Sequence, residues 1–133
     1  MSDPLLGLQG AVVSRLKADV ATTALVAQRV FDAVPAGAVF PYITLGGGQQ
    51  NGDDIDCADI SETFFQIHGW SRSVGWPEAK NIARAIRDAL KAPLAITGFD
   101  IQIQEYQQTQ LLDDPDGLTR HAMVEFRFII VHT

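Results

Sequence analysis

The sequence predicts an α+β domain: an antiparallel sheet of about four strands carrying an N-terminal helix and a long central helix, in the order α-(α)-β-β-α-β-β. Three observations predict it. Apolar residues recur at helical spacing over Leu5 to Leu16 and over Ala79 to Leu90. They alternate at strand spacing over Phe64 to Trp70, Phe99 to Ile103 and Thr119 to His132. Strands fall in pairs separated by one helix, which favours antiparallel hairpins over a doubly wound parallel sheet.

Asp3 followed by Pro4 marks the first helix start, because a carboxylate can accept from an orphan amide and proline needs no partner in the first turn. Leu5, Leu8, Val12, Val13 and Leu16 then form one face, predicting a helix over 4–18. A weaker helical patch follows around Val20 to Gln28, where Thr22 and Thr23 restrict χ1. Pro35, Gly37 and Pro41 make 32–41 a loop leading into a strand at Tyr42 to Leu45.

The run from Gly46 to Asp54 is glycine-rich and polar, and predicts a long flexible loop between that strand and the stronger one at Phe64 to Trp70. In the latter, Phe64, Gln66, His68 and Trp70 share one face and Phe65, Ile67 and Gly69 the other. Pro77 opens the central helix, whose Ala79, Ile82, Ala83, Ile86 and Leu90 form a stripe ending before Pro93. Phe99, Ile101 and Ile103 alternate with Asp100, Gln102 and Gln104, giving an apolar and a wet face. Residues 107–117 read as a polar loop ending in the turn signal Asp113-Asp114-Pro115-Asp116-Gly117. The last strand places Val124, Phe126, Phe128 and Ile130 on one side. No internal repeat occurs at solenoid or propeller periods.

A chain of 133 residues fits one domain with a single core. No run of about 18 apolar residues and no secretory pattern at Met1-Ser2-Asp3-Pro4 is present, so a cytosolic chain with no membrane partner is expected. Lone Cys57 cannot form an internal disulfide, in keeping with a reducing compartment. Ten Lys and Arg against sixteen Asp and Glu give a net charge of −6, the wrong sign for a protein that grips phosphate backbones. The same sign suits a surface past which DNA slides without sticking.

Catalytic signatures fail in turn. Gly69-Trp70-Ser71-Arg72-Ser73 has a serine where a nucleophile elbow needs its second glycine. Gly46 to Gly48 lacks the Lys-Ser/Thr that follows a phosphate loop. Cys57, His68, His121 and His132 show no metal-ligand spacing. The acidic cluster Asp53, Asp54, Asp56 and Asp59 puts Ala58 and Phe64 where a calcium loop would place glycine and glutamate, and reads as a solvated loop opened by self-repulsion. No catalytic, cofactor or metal residue is expected.

Lys80, Arg84, Arg87 and Lys91 follow one another at spacings of four, three and four, a basic row along one side of the central helix. Glu78 and Asp88 are its only acidic neighbours on that helix. Such a row serves either as an ordinary solvated face or as a surface for an acidic partner, with the 53–59 segment of an adjacent copy as the candidate.

Several landmarks then stand in order: Arg29-Val30-Phe31-Asp32, Phe40-Pro41-Tyr42-Ile43-Thr44-Leu45-Gly46, Trp70-Ser71-Arg72, the helix Glu78 to Leu90, and Asp116-Gly117-Leu118. In that order and spacing, which take in nearly the whole chain, the sequence resembles the tail-completion, or tail-terminator, proteins of long-tailed (siphovirus-type) phages and of gene transfer agents. The resemblance implies a single tail-terminator-like domain over residues 1–133. It implies a homohexameric ring on the head-proximal end of the tail tube, which halts tube polymerisation and offers a surface to a neck stopper or adaptor. DNA would pass only transiently through the central hole, and acidic Asp113, Asp114 and Asp116 would ease that passage as channel or loop contacts. The long polar loops at 46–58 and 107–117 suit either segments that become ordered on meeting tube or neck or plain hairpin loops. Assembly in the bacterial cytoplasm and a final place in the tail or neck of a virion or virus-like particle are implied as well. Two alternatives stay open: a stopper or adaptor neck protein, and a stand-alone ligand-binding or enzymatic α+β domain.

Overall fold

In the computed structural model, which describes residues 4–46, 49–55 and 58–132, three helices cover one face of a six-stranded sheet. Helix α1 (Pro4–Ala18) buries Leu8, Val12 and Leu16, one residue per turn on a single face. Asp3, expected to cap it, lies outside the described residues, as do Gly47, Gly48, Asp56 and Cys57. Helix α2 (Val20–Val26) is short but well started. The Asp19 carboxylate accepts from Thr22 N at 3.0 Å and from Thr22 Oγ1 at 2.7 Å, so the threonine that weakens helix propensity is also part of the cap.

The strands are β1 (Val30–Phe31), β2 (Tyr42–Leu45), β3 (Gln49–Ile55), β4 (Ala58–Ser71), β5 (Phe99–Asp113) and β6 (Arg120–His132), with helix α3 (Pro77–Ala89) between β4 and β5. Their order is β1-β2-β4-β6-β5, and β3 pairs with the first half of β4 on the same edge that β2 occupies further along. All pairings are antiparallel except the short β1–β2 contact. The α+β class and both expected hairpin pairings hold, with two strands more than expected.

Two expected loops are strands. The polar run after Gly46 contains β3, because the long β4 offers it a ready edge: Gln49 faces Phe64 and Asp54 faces Asp59 in register. The expected 107–117 loop is strand as far as Asp113, paired with β6 from Gln108 onward after a bulge at Gln107. The alternation expected over Phe99 to Gln104 also breaks. A bulge between Ile101 and Ile103 turns Ile103 outward and Gln104 inward, where its amide donates to Leu90 O at 2.8 Å and its carbonyl accepts from Leu94 N at 2.9 Å.

The core lies between helices and sheet. Ile82, Ile86 and Leu90 pack with Phe65, Ile67, Val124, Phe126, Phe128 and Ile130. Gly69 on β4 lets α3 come close, since a Cβ there would stand 2.5 Å from Ile82 Cγ2. Arg15 locks α1 to the end of α3, donating to Ala89 O, Ala92 O and Pro93 O at 2.8–3.0 Å, where helix carbonyls would otherwise lack partners. At the other end of α3, buried Ser71 donates to Glu78 at 2.7 Å and accepts from Ser73 N, so its hydroxyl staples strand to helix.

Candidate interaction surfaces

The outward side of α3 carries the basic row, and all four members are exposed. They are not equivalent. Asp88 accepts from Arg84 at 3.1 Å and pairs with Lys91 at 3.2 Å, and these hydrogen bonds, Lys91 first, hold its carboxyl below the usual range. Arg87 lies over the Tyr106 ring at 4.1 Å. Tyr106 comes from β5, the strand beside the helix, and its hydroxyl shares a hydrogen bond with Thr109 at 2.7 Å. Between α3 and β5 runs an open groove of about 350 Å³, with Lys80, Arg84 and Arg87 along its rim and Ala83, Tyr106 and Leu111 beneath.

The acidic residues fall elsewhere. Asp53 and Asp54 belong to β3 and Asp59 to β4, on the edge of the sheet farthest from β5. Within one chain the structure therefore does not bring the basic row and the acidic segment together. The acidic turn between β5 and β6 is a third location. Asp116 accepts from Leu118 N, Thr119 N and Thr119 Oγ1 at 2.7–2.9 Å, and these backbone donors, Thr119 first, push its pKa down. Asp113 stands 3.7 Å from Arg120.

The sheet face away from the helices carries its own polar ladder. Arg127 bridges Glu62 at 2.7 Å and Glu105 at 2.9 Å across three strands, and Glu125 joins Gln66 to Gln108. Nearer the end of β4, Trp70 stacks on His121 with centroids 3.9 Å apart and donates to Thr44 at 2.8 Å. His68 and His121 share a hydrogen bond through Nδ1 and Nε2. Burial, then His121, pushes the His68 pKa down to about 4; burial also lowers that of His121, opposed by Asp114. Both rings are therefore neutral near pH 7. No local sequence signal marks this cluster, since His68 and His121 are 53 residues apart.

Among the described residues no three His, Cys, Asp or Glu side chains gather to hold a metal ion, and no helix is long and apolar enough to cross a membrane. What the fold and these surfaces define is a small α+β subunit whose distinctive chemistry lies on its faces and edges. Residues 10–131 match the family model of the tail completion protein gp17, and the chain belongs to that family, the structural proteins of phage and phage-like tails. It is 25% identical over 92 residues to the tail completion protein gp17 of Bacillus phage SPP1, 68% of each chain. Its fold superposes on a chain from the virion of a native gene transfer agent particle with a TM-score of 0.89 and 26% identity, covering 96% of both chains. The solved SPP1 gp17 shares the fold at a TM-score of 0.62 and 22% identity, over 92% of this chain and 88% of that one.

Proposed function

We propose that six copies of this chain form a ring on the head-proximal end of a tail tube, where the ring ends tube polymerisation and joins the tail to the neck. The observation that carries this reading is the superposition over 96% of both chains on a component of a gene transfer agent particle. Physical chemistry supports it. A closed ring uses one contact repeated head to tail, which requires two different complementary patches on each subunit. The basic groove beside β5 and the acidic β3–β4 hairpin stand at opposite edges of one sheet. The work is mechanical rather than catalytic, and the partners are other copies, the tube protein and a neck stopper or adaptor. The chain assembles in the bacterial cytoplasm.

In this reading DNA crosses the central hole without adhering, helped by a chain of net charge −6. The Asp113 to Asp116 turn lines that passage, with Asp116 held ionised by its backbone donors. Lysine at Asp113 and Asp114 together slows DNA delivery in a transfer assay, while Asp116 is left in place because the turn depends on it. Transfer at the parental rate in that variant removes the channel role.

Particles produced without the chain test the ring reading itself. The expected result under electron microscopy is tubes of uncontrolled length and heads without tails. Tails of normal length joined to heads would overturn it.

A further inference from the structure

We infer that the groove between α3 and β5 receives the acidic β3–β4 hairpin of the next copy of this chain, an assignment that rests on the ring reading above. The groove has a cationic rim of Lys80, Arg84 and Arg87 over an apolar floor that includes Tyr106 and Leu111. Leu111 remains 39% exposed, so its part of the floor is left uncovered by the chain's own fold. A concavity of this kind suits an extended segment that offers carboxylates together with a few apolar side chains.

The chain supplies one such segment. Asp53, Asp54, Asp56, Asp59 and Glu62 fall within the stretch from Gln49 to Glu62, and no Lys or Arg occurs between Arg29 and Arg72. Ile55 and Ile60 are interspersed among them. Among the described side chains, Glu62 is paired with Arg127. The segment is strongly acidic by sequence, and the matching charge is on the α3 rim of the groove.

Topology excludes the chain's own hairpin as the occupant. β3 lies on the far side of β4 from β6 and β5, so the hairpin and the groove occupy opposite edges of the sheet and cannot meet within one subunit. Among the described residues β3 and β5 each pair on one side only, which leaves an open edge on both sides of the contact. Joining hairpin to groove places unlike charges together and repeats head to tail, as a ring requires. Asp88 has a part in this contact: it holds Arg84 and Lys91 in place before the neighbour arrives, and Arg84 can then shift from one carboxylate to another.

A charge-swap cycle tests the inference in assembled tailed particles, with ring occupancy read by electron cryomicroscopy. Lys80→Glu with Arg84→Glu reverses the rim; Arg87 is spared because it stacks on Tyr106. Asp53→Lys with Asp54→Lys reverses the hairpin. Each pair is expected to lower occupancy about tenfold or more, and the two pairs together to restore most of it. Intact rings with either pair alone would overturn the inference while leaving the ring reading standing. Parental particles with no ring at the tube end would overturn both, and tube or neck protein seated in the groove would assign it to that partner instead. Should a reversed chain misfold, Asp54→Cys with Thr109→Cys in a Cys57→Ser chain gives a second readout. Mild oxidation is expected to link neighbours covalently around the ring, and rings that stay unlinked contradict the assignment.

Discussion

Phe128 and Ile129 are adjacent on β6, yet one is wholly buried beneath the helices and the other stands half-buried on the open side of the sheet. The same division runs along β4, where Phe65, Ile67 and Gly69 face α3 while Gln66, His68 and Trp70 face away. On the helix side, interactions are non-directional and governed by volume: residues fill space to interior density, and even a glycine is set by the approach of Ile82. On the open side they are directional, as in the Glu62–Arg127–Glu105 bridge and the Trp70–His121 stack. The first face holds the subunit together. The second, with the sheet edges, is open to a neighbour.

Substitutions that differ only in which face they touch should separate cleanly. Phe128→Ala is expected to cost about 3–5 kcal/mol of unfolding free energy, and Ile129→Ala about 1 kcal/mol, both read by denaturant titration. Comparable losses would mean the open face is as firmly packed as the core. Gly69→Ala should cost roughly 1–3 kcal/mol, because the new methyl must displace Ile82 or push α3 from the sheet. Cutting the ladder on the open face with Arg127→Ala should matter less than Gly69→Ala, and the loss should shrink in high salt.

A separate expected effect is a slope in pH. A histidine whose pKa falls to about 4 on folding, from an ordinary 6.5, binds its proton more readily in the unfolded chain. Stability is therefore fully present above about pH 6.5 and declines as pH falls toward 4. His68→Asn removes that titration, so its thermal midpoint should fall less than the parental one across this window. Parallel curves would show that the His68 ring is not held neutral by its surroundings.

The helices were legible because their signals are local. Pro77 and the stripe from Ala79 to Leu90 fix α3 without knowledge of its partners. β6 was legible by alternation, as its inner residues meet the helices and its outer ones do not. β3 was not, because glycine and aspartate argue against a strand, and it is the length of β4 that gives those residues a partner. The end of β5 was missed for a related reason: Gln107 to Gln110 are exposed, so no apolar period announces them, and two bulges displace the period that begins at Phe99. The basic row could be read from its spacing on α3, whereas the Tyr106 and Leu111 floor of its groove depends on a long-range pairing. Of the acidic turn, composition showed the charge but not that Asp116 is spent on holding Thr119.

Electron cryomicroscopy of the tailed particles that carry this chain, at the junction of tail tube and neck, tests the central claim most directly. The account predicts a sixfold ring of this fold on the last tube layer. Density at that junction with twelvefold symmetry, or occupied wholly by other chains, would contradict it.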